Sequence, residues 1–250
     1  MTARARFPGD TSRFAVTIAR DRRAVGEAQR LRYRVFGEEL GARLASGDRG
    51  IDEDEFDRHC DHLVVRDVLS GEAVGTYRIL PPEAARATGG YYSEREFDLG
   101  RLAPLRDRMA EVGRTCVDPA YRSTVVMLLL WSALAKYMID SGHHYLIGCA
   151  SIGLGAGAPG AATVFRRLAA DGMGPEEYRV FPRLPLPLDR RETGVQAGVP
   201  PLVKGYLGLG AWVCGEPAWD RDFNCADVPM LLALERLDAR FARHSIDRAA

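Results

Sequence analysis

The chain has 250 residues, and its 34 Lys+Arg balance its 34 Asp+Glu, so the formal net charge is zero. Because a chain without excess basic charge lacks the electrostatic footprint needed for a phosphate backbone, composition argues against a nucleic-acid function. The 46% hydrophobic and 27% charged fractions are typical of a globular protein. We predict one domain over residues 1–250, with a core at about 14–185 and a C-terminal extension at about 200–245.

Neither a membrane span nor a disulfide framework is evident in the sequence. The longest strongly apolar run, Val125 to Ala135, is shorter than the ~20 residues that cross a bilayer. The arginines of the N-terminal MTARARFPGDTSRF are not followed by an apolar segment, so we expect no signal peptide. The 5 cysteines lack CxxC spacing, which indicates reduced thiols and a cytoplasmic location.

The first half of the chain alternates strand and helix patterns. Phe14 to Arg20 alternates as a strand does, and Asp21 caps a helix whose apolar residues recur as far as Leu40. An irregular acidic loop follows at 46–61. The segments 61–68 and 73–80 flank a Ser70-Gly71-Glu72 turn and predict a β-hairpin.

The second half predicts a strand, a helix and a second strand in succession. These are Met109 to Val117, Arg122 to Ser141 and His144 to Ser151, and two more helices are predicted at 163–172 and from Asp227 to His244. The order indicates an α+β fold with a central mixed sheet flanked by helices. We expect strands 109–117 and 144–150 to lie side by side and to diverge, admitting a ligand.

Charged residues in the acidic loop and at predicted strand positions are the first candidates for a site. Asp54 and Asp57 concentrate negative charge, which is able to hold an amine but also fits a solvated acidic loop. Arg78 lies among apolar residues and needs a carboxylate partner from Asp54, Asp57 or Glu111, because an unpaired buried guanidinium is costly. Glu111 is either an ion-pair member or a general base. Strand alternation places Arg114 on the face opposite to Glu111.

Two motifs suggest other chemistry. His59-Cys60-Asp61-His62 contains metal-ligand residue types, but neighbours on an extended chain face opposite ways and no second pair completes a zinc site, so we predict no metal. Gly155 to Gly160 matches G-x-G-x-x-G, with Glu176 and Glu177 about 20 residues downstream, as in a dinucleotide-dependent oxidoreductase. Pro159 interrupts this turn and no second mononucleotide-binding half follows, so a loop over a cleft is the simpler interpretation.

Several long motifs occur in an order that resembles a known family. They are RYRVFGEELGA, DEDEFDRHCDHLVVRD, VGTYRIL, YYSEREFDL, EVGRTCVDPAYR, YLIGCAS and KGYLGLGAWVCGEPAWDRDFN. The chain resembles GNAT-type acyltransferases and, more closely, the bacterial ornithine N-acyltransferases, the hemolysin-like group that makes lyso-ornithine lipid. A more distant resemblance is to acyl-homoserine-lactone synthases. Ala42 stands near the place of their tryptophan, which argues against an S-adenosylmethionine substrate.

The resemblance implies an activity and its partners. We expect transfer of a 3-hydroxyacyl chain from acyl carrier protein to the α-amine of L-ornithine, with no bound cofactor and with contact at the inner membrane. Another amino acid, or an acyl-homoserine-lactone-type reaction, remains an alternative. The segment from Arg122 to Met127 has no glycine, whereas acetyl-CoA enzymes use a glycine-bearing turn to hold pyrophosphate. This difference suits a donor carried on phosphopantetheine, although acyl-CoA remains possible.

The resemblance also assigns roles to residues. The catalytic candidates are Glu111, Asp57 and Arg114, and the substrate-binding candidates are Arg32, Phe36, Asp54, Arg78 and Phe97. The acyl-donor candidates are Thr115, Cys116, Val117 and Arg122, with backbone N–H groups of 115–117 facing the thioester oxygen. Phe165 stands where many relatives use a tyrosine to protonate the leaving thiolate. Arg122, Arg166 and Arg167 are expected to form a patch that recognises the acidic carrier.

Overall fold

The computed structural model describes residues 11–122, 124–155, 157–188 and 198–237. Its strands are β1 (Phe14–Ile18), β2 (Asp61–Asp67), β3 (Ala73–Leu80), β4 (Phe97–Asp98), β5 (Met109–Val117), β6 (Tyr145–Gly153), β7 (Phe181–Pro182), β8 (Trp212–Val213), β9 (Ala218–Asp220) and β10 (Cys225–Ala233). Its α-helices are α1 (Arg22–Arg32), α2 (Pro82–Ala87), α3 (Thr124–Ser141), α4 (Gly157–Gly172) and α5 (Pro201–Gly208). Within these ranges, none of the helices is long and apolar enough to span a membrane.

The main sheet has the strand order β1-β2-β3-β5-β6-β10-β8, with β9 also paired to β10. The hairpin of β2 and β3 is confirmed, and β5 and β6 form a parallel pair joined by α3. The other pairs in this sheet are antiparallel. With one parallel pair among the described strands, the sheet is not the doubly wound parallel sheet that a dinucleotide-binding fold requires.

Helices cover both faces of this sheet. On one face α3 packs against Val65, Tyr77 and Leu146, and α4 and α5 continue the same apolar layer. On the other face Ala28 of α1 packs against Val64. Asp21 begins α1 as predicted, since its side chain accepts a hydrogen bond of 2.8 Å from the backbone N–H of Ala24. The chain continues from α1 as a π-helix over Tyr33–Glu39.

The parallel pair at the centre of the sheet is short. β5 and β6 are paired only over Met109–Glu111 and Tyr145–Ile147. Beyond these residues β5 stays paired with β3, and β6 stays paired with β10. The predicted divergence is therefore confirmed, and we call the gap between 112–117 and 148–153 the split.

The C-terminal helix prediction is wrong where the structure describes the chain. Residues 225–233 are β10, which pairs with β6 over its whole length, and a short 3₁₀ helix follows at Leu234–Arg236. Eight of the nine side chains of β10 are buried. A strand buried on both faces has a continuous apolar run, which periodicity does not distinguish from a buried helix. Residues 238–244 of the predicted helix lie outside the described residues.

The alternation predicted for β5 is also wrong at one residue. Thr76 pairs with Cys116 and Arg78 with Gly113, so two residues of β5, Arg114 and Thr115, lie opposite Tyr77. This is a β-bulge, and Arg114 has a φ of 51° there, in the left-handed region that non-glycine residues rarely occupy. The bulge turns the Arg114 side chain toward the same part of the molecule as Glu111.

Gly148 sets how closely β6 approaches β5 at the start of the split. A Cβ atom at this position would overlap the backbone oxygen of Val112 and lie 3.2 Å from Val112 Cγ2, whereas a Cβ atom on Gly153 in the same strand meets nothing within 4 Å. We expect Gly148→Ala to lower the free energy of unfolding by about 1–3 kcal/mol. The control Gly153→Ala should change it by less than about 0.5 kcal/mol. Urea denaturation measures both, and equal effects would contradict this packing argument.

Candidate active site

A cavity of about 590 Å³ opens at the split, and its lining comes from both faces of the sheet. The face covered by α3 and α5 supplies apolar side chains, among them Trp131, Leu134, Met138, Tyr206 and Leu209. The opposite face supplies charged and polar side chains, among them Ser93, Glu96, Glu111, Arg114 and Asp227, beside aromatic rings such as Tyr92 and Phe223. The cavity therefore has an apolar half and a half that carries the charged groups, which we call the polar half, and the two meet where β5 and β6 separate.

Glu111 is the last residue of β5 that pairs with β6. Its side chain is held by the segment after α2. Its Oε2 accepts the backbone N–H of Tyr92 at 2.6 Å, and its Oε1 accepts the backbone N–H of Ser93 at 2.7 Å. The Ser93 hydroxyl also donates to Oε1. Burial raises the pKa of Glu111, and these three donors oppose that rise. A carboxylate with a raised pKa beside a hydroxyl is suited to receive a proton.

Six charged side chains form what we call the ion-pair brace. Its members are Arg32, Arg78, Arg114, Asp52, Asp54 and Asp57. Arg32 Nε lies 3.0 Å from Asp52 Oδ2, and Arg32 Nη2 donates to Asp57 Oδ1 at 2.6 Å. Arg78 bonds Asp54 at 2.7 Å and Asp57 at 3.1 Å. Arg114 lies 3.2 Å from Asp52 and 3.4 Å from Asp54. Three positive and three negative charges are thus buried together and neutralise one another.

Asp57 is a buried carboxylate that bridges Arg32 and Arg78 within the brace. Its Oδ1 binds Arg32, while its Oδ2 binds Arg78 and accepts the backbone N–H of Asp54 at 2.9 Å. Burial alone would raise the pKa of Asp57, but the guanidinium groups of Arg32 and Arg78 outweigh it and hold this pKa well below its usual range. Both carboxylate oxygens of Asp57 are thus occupied by partners within the protein.

The structure brings together only part of the predicted site. Phe36, Arg78, Glu111, Arg114 and Thr115 line the cavity. The other candidates are absent from the lining: Arg32, Asp54, Asp57, Phe97, Cys116, Val117 and Arg122. Phe97 is completely buried in the core, and Cys116 packs against Leu31 and Val35.

The arginines of the expected carrier-binding patch differ in their surroundings. Arg122 forms a two-pronged ion pair with Glu39, at 2.6 and 2.5 Å. Arg166 donates to the backbone oxygen of Leu188 at 2.9 Å. Arg167 is exposed. Phe165 is buried in the core and is not part of the cavity lining.

Residues that sequence reasoning missed also lie in the cavity. The Tyr77 and Tyr206 hydroxyls bond one another on its apolar side. Glu96 and Asp227 lie on its polar side. Burial and the neighbouring Asp227 and Asp220 raise the pKa of Glu96 to about 9, and burial raises the pKa of Asp227 too. For Asp227, the sequence offered one signal: a carboxylate within the apolar run CADVPMLLA. A carboxylate in a predicted strand is also the feature that singled out Glu111.

Removing one charge from the brace should lower the free energy of unfolding more than breaking an exposed ion pair does. Asp57→Asn leaves two buried guanidinium groups with one carboxylate fewer, so we expect the free energy of unfolding to fall by roughly 3–5 kcal/mol. The matched control is Arg86→Gln, which breaks the pair of Arg86 with Asp107, whose side chains are 63% and 89% exposed. This control should cost less than about 1 kcal/mol. Chemical denaturation checks both, and equal costs would show that burial of the brace is not decisive.

Comparison with known proteins agrees with this geometry. Residues 31–132 match the model of the acetyltransferase (GNAT) domain family. An L-ornithine N(alpha)-acyltransferase of Rhizobium meliloti (strain 1021) is 34% identical over 259 residues, covering 94% of this chain and 85% of the relative. The enzyme of the same description from Rhodobacter capsulatus is 37% identical over 243 residues, covering 91% of this chain and 92% of the relative.

Solved structures share the fold at low sequence identity. FeeM, an N-acyl amino acid synthase from uncultured soil microbes, superposes with a TM-score of 0.55 at 14% identity and covers 89% of this chain and 91% of its own. The acyl-homoserine-lactone synthase LasI gives a TM-score of 0.51 at 15% identity, covering 88% of this chain and 90% of its own. The split sheet, the cavity within it and the similarity along nearly the whole chain lead to one assignment: the protein is an acyltransferase with a GNAT fold and belongs to the L-ornithine N(alpha)-acyltransferase family.

Proposed function

We propose that the protein transfers a (3-hydroxy)acyl chain from acyl carrier protein to the α-amine of L-ornithine, forming lyso-ornithine lipid for ornithine lipid biosynthesis. The observation that carries this proposal is the cavity at the split, with an apolar half on one face of the sheet and a polar half on the other. An acyl chain fits the first half and an amino acid the second, and the two substrates meet at Glu111. The relatives' names supply the amino acid.

In this proposal the thioester carbonyl lies at the edge of β5. Residues 112–117 have no partner on β6, and alternate residues of a strand direct their N–H groups to opposite sides. At least one N–H group of 115–117 therefore points into the split. Such a fixed donor stabilises the negative charge that develops on the carbonyl oxygen when the amine attacks.

Proton removal is assigned to Ser93 and Glu111 together. The amine nitrogen bonds to the carbonyl carbon and gives a proton to Ser93 Oγ, which passes its own proton to Glu111 Oε1. The tetrahedral intermediate then collapses and the C–S bond breaks, leaving the amide and a pantetheine thiolate. The thiolate takes a proton from water, and the hydroxide formed takes the proton from Glu111, which restores the base. The Ser93 hydroxyl already donates to Glu111, so the relay needs no rearrangement of the protein.

Arg114 is our candidate for the amino acid's carboxylate. It lines the cavity, and its guanidinium lies 4.9 Å from the ring centre of Tyr92 and 4.7 Å from that of Phe223. Its two aspartate contacts are longer than those of Arg32 to Asp57 or Arg78 to Asp54. Planar guanidinium groups bind carboxylates through paired hydrogen bonds, so Arg114 both completes the brace and orients the acceptor.

Glu111→Gln tests the chemistry. Because general-base catalysis contributes about 10²- to 10⁴-fold, we expect kcat with ornithine and 3-hydroxyacyl carrier protein to fall by that order, with a smaller change in KM for ornithine. Ser93→Ala should lower kcat in the same direction. The matched control is Glu83→Gln, an exposed glutamate of α2. Unchanged turnover in Glu111→Gln removes Glu111 from the reaction, and a wild type that acylates no amine refutes the proposed function.

The donor is tested by charge reversal. We propose that Arg122 and Arg167 contribute to docking the acidic carrier, with the acyl product released at the inner face of the membrane. Arg122→Glu combined with Arg167→Glu should raise KM for the carrier-bound donor by about tenfold, equivalent to about 1.4 kcal/mol. The increase should shrink at high salt, and KM for ornithine should stay constant. If the wild type prefers acyl-CoA over the carrier-bound donor, the carrier assignment is wrong.

A further inference from the structure

A second group of acidic residues, Glu96, Asp220 and Asp227, lines the same cavity. Asp227 is only 6% exposed. The Oε2 atom of Glu96 is buried and has no hydrogen-bond partner. Within the described part of the chain, no arginine, lysine or histidine forms an ion pair with any of the three. The cavity thus presents one buried and two half-buried carboxyl groups without an ion pair; Arg114 opposes the rise in the pKa of Glu96 but does not outweigh burial and the neighbouring carboxylates.

The ion-pair brace shows what compensated carboxylates look like in this protein. Each aspartate of the brace has an arginine within 3.4 Å. By contrast, burial and the neighbouring carboxylates raise the pKa of Glu96 to about 9. Two carboxylates in contact do not both ionise at low energetic cost unless a cation lies beside them. A positively charged group in the cavity would satisfy both the unpartnered oxygen of Glu96 and the charge of Asp227.

The position of this group relative to Ser93 matches the length of a diamino acid. Glu111 pairs with Ile147 on β6, and Asp227 pairs with Ser151 on the same strand. Cys149 lies between them: its Sγ is 3.6 Å from Ser93 Oγ, and Glu96 and Asp227 add to the effect of burial in raising its pKa. Cys149, the neighbour of Ser93, is two residues of strand away from Ser151, the partner of Asp227. Two residues span about 7 Å, which is close to the distance between the two amines of an extended ornithine.

We propose that Glu96 and Asp227, with Asp220 beside them, hold the side-chain ammonium of the acceptor and thereby restrict the enzyme to amino acids with a cationic side chain. This inference rests on the proposed function and extends it. With the carboxylate of the amino acid at Arg114 and its α-amine at Ser93, the side chain points along β6 toward Asp227. A neutral side chain in this place leaves the carboxylates unpaired, which costs binding energy and creates specificity.

The test compares two acceptors that differ by one amine. L-Norvaline has the carbon chain of ornithine without the δ-amine. For the wild type we expect kcat/KM to be about 10- to 100-fold higher with ornithine, because a charged hydrogen bond is the difference between the two complexes. In Glu96→Gln and in Asp227→Asn the ratio of the two kcat/KM values should fall toward 1. The matched control is Glu216→Gln, an exposed glutamate outside the cavity, which should keep the wild-type ratio.

The thermal midpoint distinguishes a binding role of these carboxylates from a structural role, because the two roles predict different shifts when a carboxylate is replaced. Removing an uncompensated buried charge should leave the thermal midpoint of the ligand-free protein unchanged or raise it, whereas loss of a structural ion pair would lower it. Ornithine should raise the midpoint of the wild type more than norvaline does, and this difference should disappear in Glu96→Gln. Since this shift reports binding, it decides the inference even if turnover with the chosen acyl donor is absent.

The outcomes separate the inference from the proposed function. An unchanged ornithine-to-norvaline ratio in both variants overturns the inference while leaving the acyltransferase reaction intact. A wild type that binds ornithine but acylates neither amino acid refutes the proposed function instead. Ligand atoms of Asp220, Cys225 and Asp227 lie within 4.8 Å of one another, so the assays are repeated with EDTA and with added Zn²⁺. Loss of the ornithine preference in EDTA would assign the carboxylates to a metal and overturn the ammonium site.

Discussion

The short pairing of two parallel strands is the constraint on which the rest of this structure depends. β5 and β6 share three residue pairs, and each then follows its other neighbour in the sheet. An open strand edge inside a protein leaves backbone groups without partners, a cost that proteins accept where a ligand supplies them. Gly148 allows the close approach just before the strands separate. The cavity, its two halves and the placement of Glu111 all follow from this separation.

Charge in this protein is balanced as a whole but divided inside the cavity. The brace places three arginines against three aspartates and fastens the acidic loop to β3 and β5. Its arginines are therefore engaged, and Arg114 alone among them combines long ion pairs with a place in the cavity lining beside aromatic rings. In the described part of the chain, the group around Glu96 and Asp227 has no ion pair of this kind, and the pKa of Glu96 is raised despite the nearby Arg114. A neutral chain can thus carry a locally negative pocket, which suits an acceptor that brings a cation with it.

Much of the fold was accessible from the sequence because local rules agree with the final structure there. The capped helix after Asp21, the β2–β3 hairpin and the strand-helix-strand unit from β5 to β6 all form as predicted. The predicted helix beginning at Asp227 is wrong over 227–233 because β10 is buried on both faces and shows no period of two. Arg114 was placed on the wrong face because a one-residue bulge reverses the side-chain direction. Neither feature has a signature in local spacing.

The sequence by itself determined the family, the α+β class and the identity of a few charged residues that need partners. The charged residues were identifiable because an arginine or glutamate within an apolar strand needs a partner when it is buried, and such a residue is visible in the sequence alone. Only the tertiary structure decided which of these charges neutralise one another and which face the cavity. Arg32 and Asp57 lie inside the brace, whereas Glu96 and Asp227, 131 positions apart in the chain, meet in one pocket. Contacts of that separation arise from strand order and register, which the sheet as a whole sets and no single segment encodes.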